Sequence, residues 1–312
     1  MIELNGIKLK NRIVISSVGY GDKDWYSWPM WIIDPKKVGA VITKTLTLEE
    51  RRGYFDVDPK CPPDRWNQLK WAWKMLKKRK EVIRKIPGGY LNAFGLWNVG
   101  IEYYFRKIYP ETNEVNKIIS VAGFSVKEYI KIINRIKQEE NLNIAAIELN
   151  AGSCPSVETD LKEKYSLLKE LCERAKREAG EIPLILKISP EGNWLKRALI
   201  AQEAGLNAVH AINTIPVRDI DLITGESPLR SEIVGQSGTC IRYKALYIVF
   251  ELAKHLEIPV IGGGGVCSEK DVQKFFCVGA SAVNITSLCF SRPLRTALII
   301  KKHWKNDSKN TK

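Results

Sequence analysis

Leu184-Ile185-Leu186-Lys187-Ile188-Ser189, a helical pattern over 194–204, and Ala208-Val209-His210-Ala211-Ile212-Asn213-Thr214 follow one another along the chain. Both apolar runs show little polar alternation, as expected of strands buried on both faces. A helix between two such runs predicts a parallel βαβ unit. The pattern extends outward in both directions. Further short apolar runs lie at 13–17, 40–44, 90–94, 118–122, 144–150, 259–263 and 282–286, and further helical patterns at 126–139, 165–179, 243–255 and 268–277. The alternation predicts an α/β protein with a parallel sheet. Nine strand candidates suit an eight-stranded (β/α)8 TIM barrel plus one peripheral strand. The 312 residues suit such a barrel, which needs roughly 250 plus insertions. Periodicity alone also admits an open doubly wound sheet. No repeat or linker interrupts the pattern, so one domain over 1–312 is expected. Asn5-Gly6 between short alternating runs predicts an N-terminal β-hairpin.

Composition narrows the function classes. No run approaches the roughly 20 apolar residues of a membrane span. The first six residues lack a basic-then-apolar signal pattern, so a cytoplasmic protein is expected. Seven scattered cysteines form no C-x-x-C pair, and three dispersed histidines form no cluster; neither suggests a metal site. The net charge of +14 fits a lysine-rich solvated surface with an anionic ligand better than nucleic-acid binding.

Polar residues fall at the strand ends, where TIM barrels build their active sites. Lys44 ends Val41-Ile42-Thr43-Lys44, Asn92 lies in Leu91-Asn92-Ala93, and Asn150 ends Ile147-Glu148-Leu149-Asn150. Lys187 lies inside Leu186-Lys187-Ile188, and Asn213-Thr214 end their run. A polar or cationic group there is costly unless something pairs with it. Five at equivalent places point to a shared site. Gly262-Gly263-Gly264-Gly265 follows the seventh barrel strand and precedes a helix. Its backbone N–H groups suit a phosphate, and the neighbouring Thr286-Ser287 hydroxyls suit the same group.

These stretches together resemble the dihydroorotate dehydrogenase family, specifically its cytosolic, cysteine-using class 1. The resemblance runs from Leu4 to about Pro293. It rests on Thr43-Lys44-Thr45-Leu46-Thr47, Asn92-Ala93-Phe94-Gly95-Leu96, Glu148-Leu149-Asn150, Ser153-Cys154-Pro155, Leu186-Lys187-Ile188-Ser189-Pro190, Ile212-Asn213-Thr214, Ser237-Gly238-Thr239 and the glycine run. It implies FMN-dependent oxidation of dihydroorotate to orotate in pyrimidine biosynthesis. FMN would contact Lys44, Thr45 and Lys187, be bordered by Ser16 and Ser17, and be held at its phosphate by Gly264, Gly265, Thr286 and Ser287 with Gly238 nearby. Lys44, Asn92, Phe94, Gly95, Leu96, Asn150, Ser156, Asn213 and Thr214 would bind substrate. Cys154 would be the base, taking a proton from C5 while hydride leaves C6 for the flavin. No metal is implied. A homodimer or hetero-oligomer is expected, and known partners of this class include an FAD and iron–sulfur electron-transfer subunit.

The chain departs from the family in three places, the mildest being Val234-Gly235-Gln236-Ser237-Gly238 where the family has Gly-Gly-x-Ser-Gly. Asn150-Ala151-Gly152-Ser153-Cys154-Pro155-Ser156 carries one residue more before the cysteine than the family pattern, and Ser156 replaces its second asparagine. These changes keep a dihydropyrimidine dehydrogenase-like activity on uracil or thymine open, as well as a non-catalytic binding barrel. A further departure is the segment 64–85, longer than expected. Trp66, Leu69, Trp73, Leu76 and Ile83 fall at near-helical spacing among nine lysines and arginines, predicting an inserted basic helix over 64–85. It would pack on the barrel, dock a partner subunit, or lie on a membrane surface.

Overall fold

The computed structural model describes residues 1–16, 19, 28–62, 64–140, 142–151 and 164–309. β1 (Ile2–Leu4) and β2 (Ile7–Leu9) form the expected antiparallel hairpin. Asn5 and Gly6 take φ of 48° and 85°, the left-handed pair that a tight two-residue turn requires.

The barrel closes from eight parallel strands: β3 (Ile13–Ser16), β4 (Ala40–Ile42), β7 (Lys117–Val121), β8 (Ala146–Leu149), β9 (Leu184–Ile188), β10 (Ala208–Ala211), β13 (Val260–Gly263) and β14 (Ala282–Ile285). Each is buried along its whole length. That burial explains the continuous apolar runs and excludes the doubly wound alternative, because β14 pairs back onto β3. The run at 90–94 is the peripheral strand. It belongs to a separate antiparallel sheet of β5 (Ile83–Ile86), β6 (Gly89–Asn92), β11 (Ile215–Val217) and β12 (Val234–Gly238), ordered β11-β12-β6-β5. The other three strands of that sheet are too short and too polar to stand out in the sequence.

The helices are α1 (Arg65–Val82), α2 (Ile101–Tyr103), α3 (Val126–Lys137), α4 (Tyr165–Ala179), α5 (Trp194–Glu203), α6 (Arg242–His255), α7 (Glu269–Cys277), α8 (Ser287–Ser291) and α9 (Pro293–Lys309). α3 shows why such segments form. Ser125 caps it by accepting from the Glu128 N–H, while Glu128 reaches back to the Phe124 N–H. Val126, Tyr129, Ile132, Ile133 and Ile136 make its buried stripe. Each fully buried Ile is worth roughly 1.5–3 kcal/mol over exposure. No helix among the described residues is long and apolar enough to cross a membrane.

α1 occupies the segment expected to be helical, but it stops at Val82 rather than 85. Ile83, Arg84 and Lys85 instead pair with Asn92, Leu91 and Tyr90 as β5, returning through Pro87-Gly88, where Gly88 has φ 74°. A paired antiparallel register outcompetes one further helical turn. Asp64 caps the start by accepting from the Asn67 N–H at 2.9 Å. The inner face packs Trp71 and Val82 against Phe55, Val57 and Trp97. Trp66, Leu69 and Trp73 stay exposed on the outer side, with the Lys70 and Lys77 ammonium groups over the Trp66 and Trp73 rings.

Candidate active site

A cavity of about 720 Å³ opens at the C-terminal ends of the barrel strands. That volume falls within the roughly 300–1,000 Å³ of small-molecule and cofactor sites. The antiparallel sheet and α1 roof it, through Tyr90, Asn92, Ser237, Trp71, Met75 and Leu76. Lys44, Arg79 and Lys187 line it, and no carboxylate appears among its described lining residues. Such a wall favours an anion.

The strand ends deliver the expected residues to this one space. Lys44 follows β4, and its Nζ lies 4.6 Å from the Phe94 ring centre and 5.3 Å from that of Trp97. Phe94, Gly95 and Leu96 line the same wall. Gly95 has φ 64°, and a Cβ there would come within 2.6 Å of the Tyr54 ring, so the turn admits only glycine. Asn92 donates to the Gly235 carbonyl at 2.9 Å, tying β6 to β12. Asn150 follows β8 and donates to Thr45 Oγ1 at 3.1 Å. Asn213 and Thr214 follow β10, with the Thr214 N–H donating to Asn213 Oδ1.

The far end of the cavity is a glycine cradle. Gly238, Gly264 and Gly265 line it with Thr286 and Ser287. Gly265 has φ 74°, and a Cβ on it would meet the Gly238 carbonyl oxygen at 2.6 Å. Two backbone turns therefore approach more closely than any side chain allows. Ser16 Oγ lies 2.7 Å from Thr286 Oγ1. Ser17, Cys154 and Ser156 lie outside the described residues.

Beneath the cavity sits a layer of polar residues that the sequence reading left without a role. Glu148 and His210 are fully buried in β8 and β10. His210 Nδ1 lies 2.5 Å from Glu148 Oε2, and Ser120 donates to Glu148 Oε1 at 2.8 Å. Lys187 Nζ stands 3.8 Å from Oε1. Burial opposes ionisation of Glu148, but the Lys187 charge, His210 and Ser120 override it and hold the carboxyl at about 2. Burial pushes the His210 imidazole below its ordinary value despite Glu148. The pair is therefore carboxylate and neutral imidazole, with the ring proton on Nδ1. Asn284 then donates to Nε2 at 3.0 Å. Its own Oδ1 is buried without a hydrogen-bond partner, on a residue lining the cavity. A polar residue alone in an apolar run marks Glu148, His210 and Asn284 alike, and that signal was available in the sequence. Arg79 and Trp71 were hidden because only the roofing by α1 brings them in.

A flavin mononucleotide fits this donor set. The cradle would suit its phosphate, the two lysines would suit developing negative charge, and the orphaned Asn284 oxygen would suit an N–H or hydroxyl donor.

The comparisons agree with the geometry. The dihydroorotate dehydrogenase family model matches residues 78–303. The chain is 30% identical over 304 residues to a dihydroorotate dehydrogenase B (NAD(+)) catalytic subunit from Endomicrobium trichonymphae, covering 96% of this chain and 89% of that protein. It is 32% identical over 304 residues to the subunit of that name from Geobacter metallireducens, covering 94% and 88%. A third, from Anoxybacillus flavithermus, is 32% identical over 297 residues, covering 94% and 86%. With the matched model spanning most of the barrel and the cavity at its mouth, this chain belongs to the dihydroorotate dehydrogenase family.

Proposed function

We propose that this protein is an oxidoreductase that converts dihydroorotate to orotate in pyrimidine biosynthesis, with FMN as its cofactor. The observation that carries this reading is the single cavity. It gathers the strand-end residues Lys44, Asn92, Asn150, Lys187, Asn213 and Thr214 with the glycine cradle and three cations, and its described lining residues include no carboxylate. A cationic wall favours the carboxylated dihydroorotate over neutral dihydrouracil.

When bound, FMN supplies the hydride acceptor. Gly264, Gly265, Thr286 and Ser287, with Gly238 beside them, hold its phosphate. Ser16, Ser17 and Thr45 border the ring, and Lys44 and Lys187 place positive charge against it. Preorganised charge of this kind is worth more in a water-excluded site than in solution. Asn92, Asn150, Asn213 and Thr214 hydrogen-bond the pyrimidine edges, with Ser156 beside them. Phe94, Gly95 and Leu96 close the wall over it and exclude water. Cys154 takes the C5 proton. A free thiol titrates near 8.5 and is only a few per cent thiolate at neutral pH, so cationic charge such as Lys44 raises its competence as a base. The relatives are named as catalytic subunits of NAD(+) enzymes, so electrons leave through a second, electron-transfer subunit. The chain itself has no G-x-G-x-x-G nucleotide fingerprint.

Anaerobic titration of the yellow protein tests this. Dihydroorotate should bleach the flavin band, dihydrouracil should not, and acid precipitation should release free FMN. A colourless protein that FMN does not reconstitute removes the cofactor. Bleaching by dihydrouracil alone reassigns the substrate.

A further inference from the structure

We infer that Glu148 is a positioning residue, held by His210 and Ser120, which fixes the Lys187 ammonium under the ring site and sets the electrostatic potential felt by the bound flavin without touching it. This rests on the flavin reading above.

The geometry is closed on every side. Glu148 is fully buried, and both its oxygens are engaged: Oε1 by Ser120 at 2.8 Å and Lys187 at 3.8 Å, Oε2 by His210 at 2.5 Å. An isolated carboxylate would not stay ionised in such a place. The polar layer continues in both directions. From Ser120 it runs to Thr45 Oγ1 at 3.0 Å and on to Asn150 at 3.1 Å. From His210 it runs to Asn284 at 3.0 Å, whose amide reaches Thr286 Oγ1 at 3.4 Å, and on to Ser16 at 2.7 Å. Both ends of this chain line the cavity. Glu148 is the one anion in it, placed directly beneath the cation that faces the ring. In a low-dielectric interior, a fixed charge at this range acts strongly on its neighbours.

Reducing a flavin adds negative charge above Lys187. Glu148 opposes that addition, and its removal favours it. Glu148→Gln keeps shape and one acceptor while deleting the charge. His210→Gln keeps a donor for Oε2 and leaves the charge in place. Ser120→Ala removes a donor that screens the carboxylate, so its effect has the opposite sign.

The experiment measures the two-electron midpoint potential of FMN-loaded wild type and the three variants against reference dyes, with the dihydroorotate KM and kcat recorded separately. Glu148→Gln should favour reduced flavin by roughly tenfold at a given poise, about 30 mV upward, with KM moving less than kcat. His210→Gln should stay near wild type, and Ser120→Ala should move downward. An unmoved potential in a folded Glu148→Gln overturns the inference, as does equal movement in Glu148→Gln and His210→Gln, or a folded Glu148→Gln that holds no FMN. If Glu148→Gln does not fold, the sign of the Ser120→Ala shift decides. A wild type that takes up no FMN is a different result, and fails the flavin reading instead.

Discussion

The floor and the roof of the cavity are built on opposite principles. The floor is a layer of buried polar side chains in rigid parallel strands, each tied to another: Ser120, Glu148, Lys187, His210 and Asn284. The roof is packed mainly through apolar side chains and lies outside the barrel, on α1 and the antiparallel sheet. There Trp71 and Trp97 pack with Phe55, and their indole N–H groups donate to the Asp58 and Val57 carbonyls at 2.7 Å. The difference teaches a division of labour. The floor fixes charge and so dictates which chemistry is possible. The roof covers the cavity with side chains from α1, part of the segment 64–85, and from the antiparallel sheet.

If that division holds, removing a reacting group should cost rate and leave the fold alone. Cys154→Ala should slow flavin reduction by dihydroorotate roughly 10²–10⁴-fold, the usual contribution of a positioned base, while the protein stays folded and yellow. Wild-type reduction should accelerate with pH until the thiol titrates, and the variant should lose that ionisation. Stopped-flow reduction across pH checks both, and equal rates in the two proteins would move the base elsewhere.

Lys187→Ala attacks the floor itself. Losing one preorganised electrostatic partner typically costs about 10²–10³ in rate, and here it also leaves the Glu148 carboxylate buried without its cation. Flavin content and reduction rate should both fall. A variant with normal content and rate would take Lys187 out of the site.

The barrel strands were legible in the sequence and the strand pairing of the roof was not, for a physical reason. Barrel strands carry their signal locally. Val41 to Lys44 or Leu186 to Ile188 is apolar because both faces are buried, and a polar residue in such a run needs a partner. The glycine run, too, shows itself without knowledge of what surrounds it. The roof depends on pairing between distant segments. β6 meets β12 through Leu91↔Gln236 and Ser237↔Tyr90, and nothing in 83–86 or 215–217 alone announces a strand. The same cause made 64–85 read as one helix: the strand pairing that ends it at Val82 involves residues 89–92. His210 and Glu148 sat in plain view, yet their mutual 2.5 Å contact joins strands 62 positions apart.

The roof should fail by unpacking rather than by chemistry. Trp71 is 7% exposed, and replacing a buried Trp with Ala costs about 3–5 kcal/mol. Trp71→Ala should therefore lower the urea midpoint clearly and weaken FMN retention, while the flavin it keeps is reduced by substrate at a rate near wild type. A large rate loss at full flavin content would make the roof part of the chemistry.

Acid should expose the floor. The folded-state value of Glu148 lies at about 2, below that of an ordinary carboxyl, so its contribution is present above about 4.5 and is lost as pH falls from there toward 2. Two and a half units correspond to about 3 kcal/mol. Urea unfolding at pH 7, 4.5 and 3 should show wild type losing stability over the lower interval. Glu148→Gln should lose less there, because it has no carboxyl at this position to protonate. Parallel curves would mean that Glu148 is not the group whose protonation weakens the fold.

The smallest effect belongs two residues from Trp71, on the opposite side of the same helix. Trp73 is 62% exposed, and its ring meets the Lys77 ammonium at 5.4 Å. A cation–π pair at an exposed site is worth roughly 0.5–1 kcal/mol, and surface substitutions away from special features usually stay within about 0.5 kcal/mol. Trp73→Ala should thus shift the urea midpoint barely, if at all, and leave FMN affinity and dihydroorotate turnover at wild-type values. Pairing it with Trp71→Ala holds residue type and helix constant and compares a buried, hydrogen-bonded indole with an exposed one. Two variants equally destabilised would mean that α1 is held from its outer side as well as its inner, and the outer stripe of Trp66, Leu69 and Trp73 would then belong to the fold of the isolated chain.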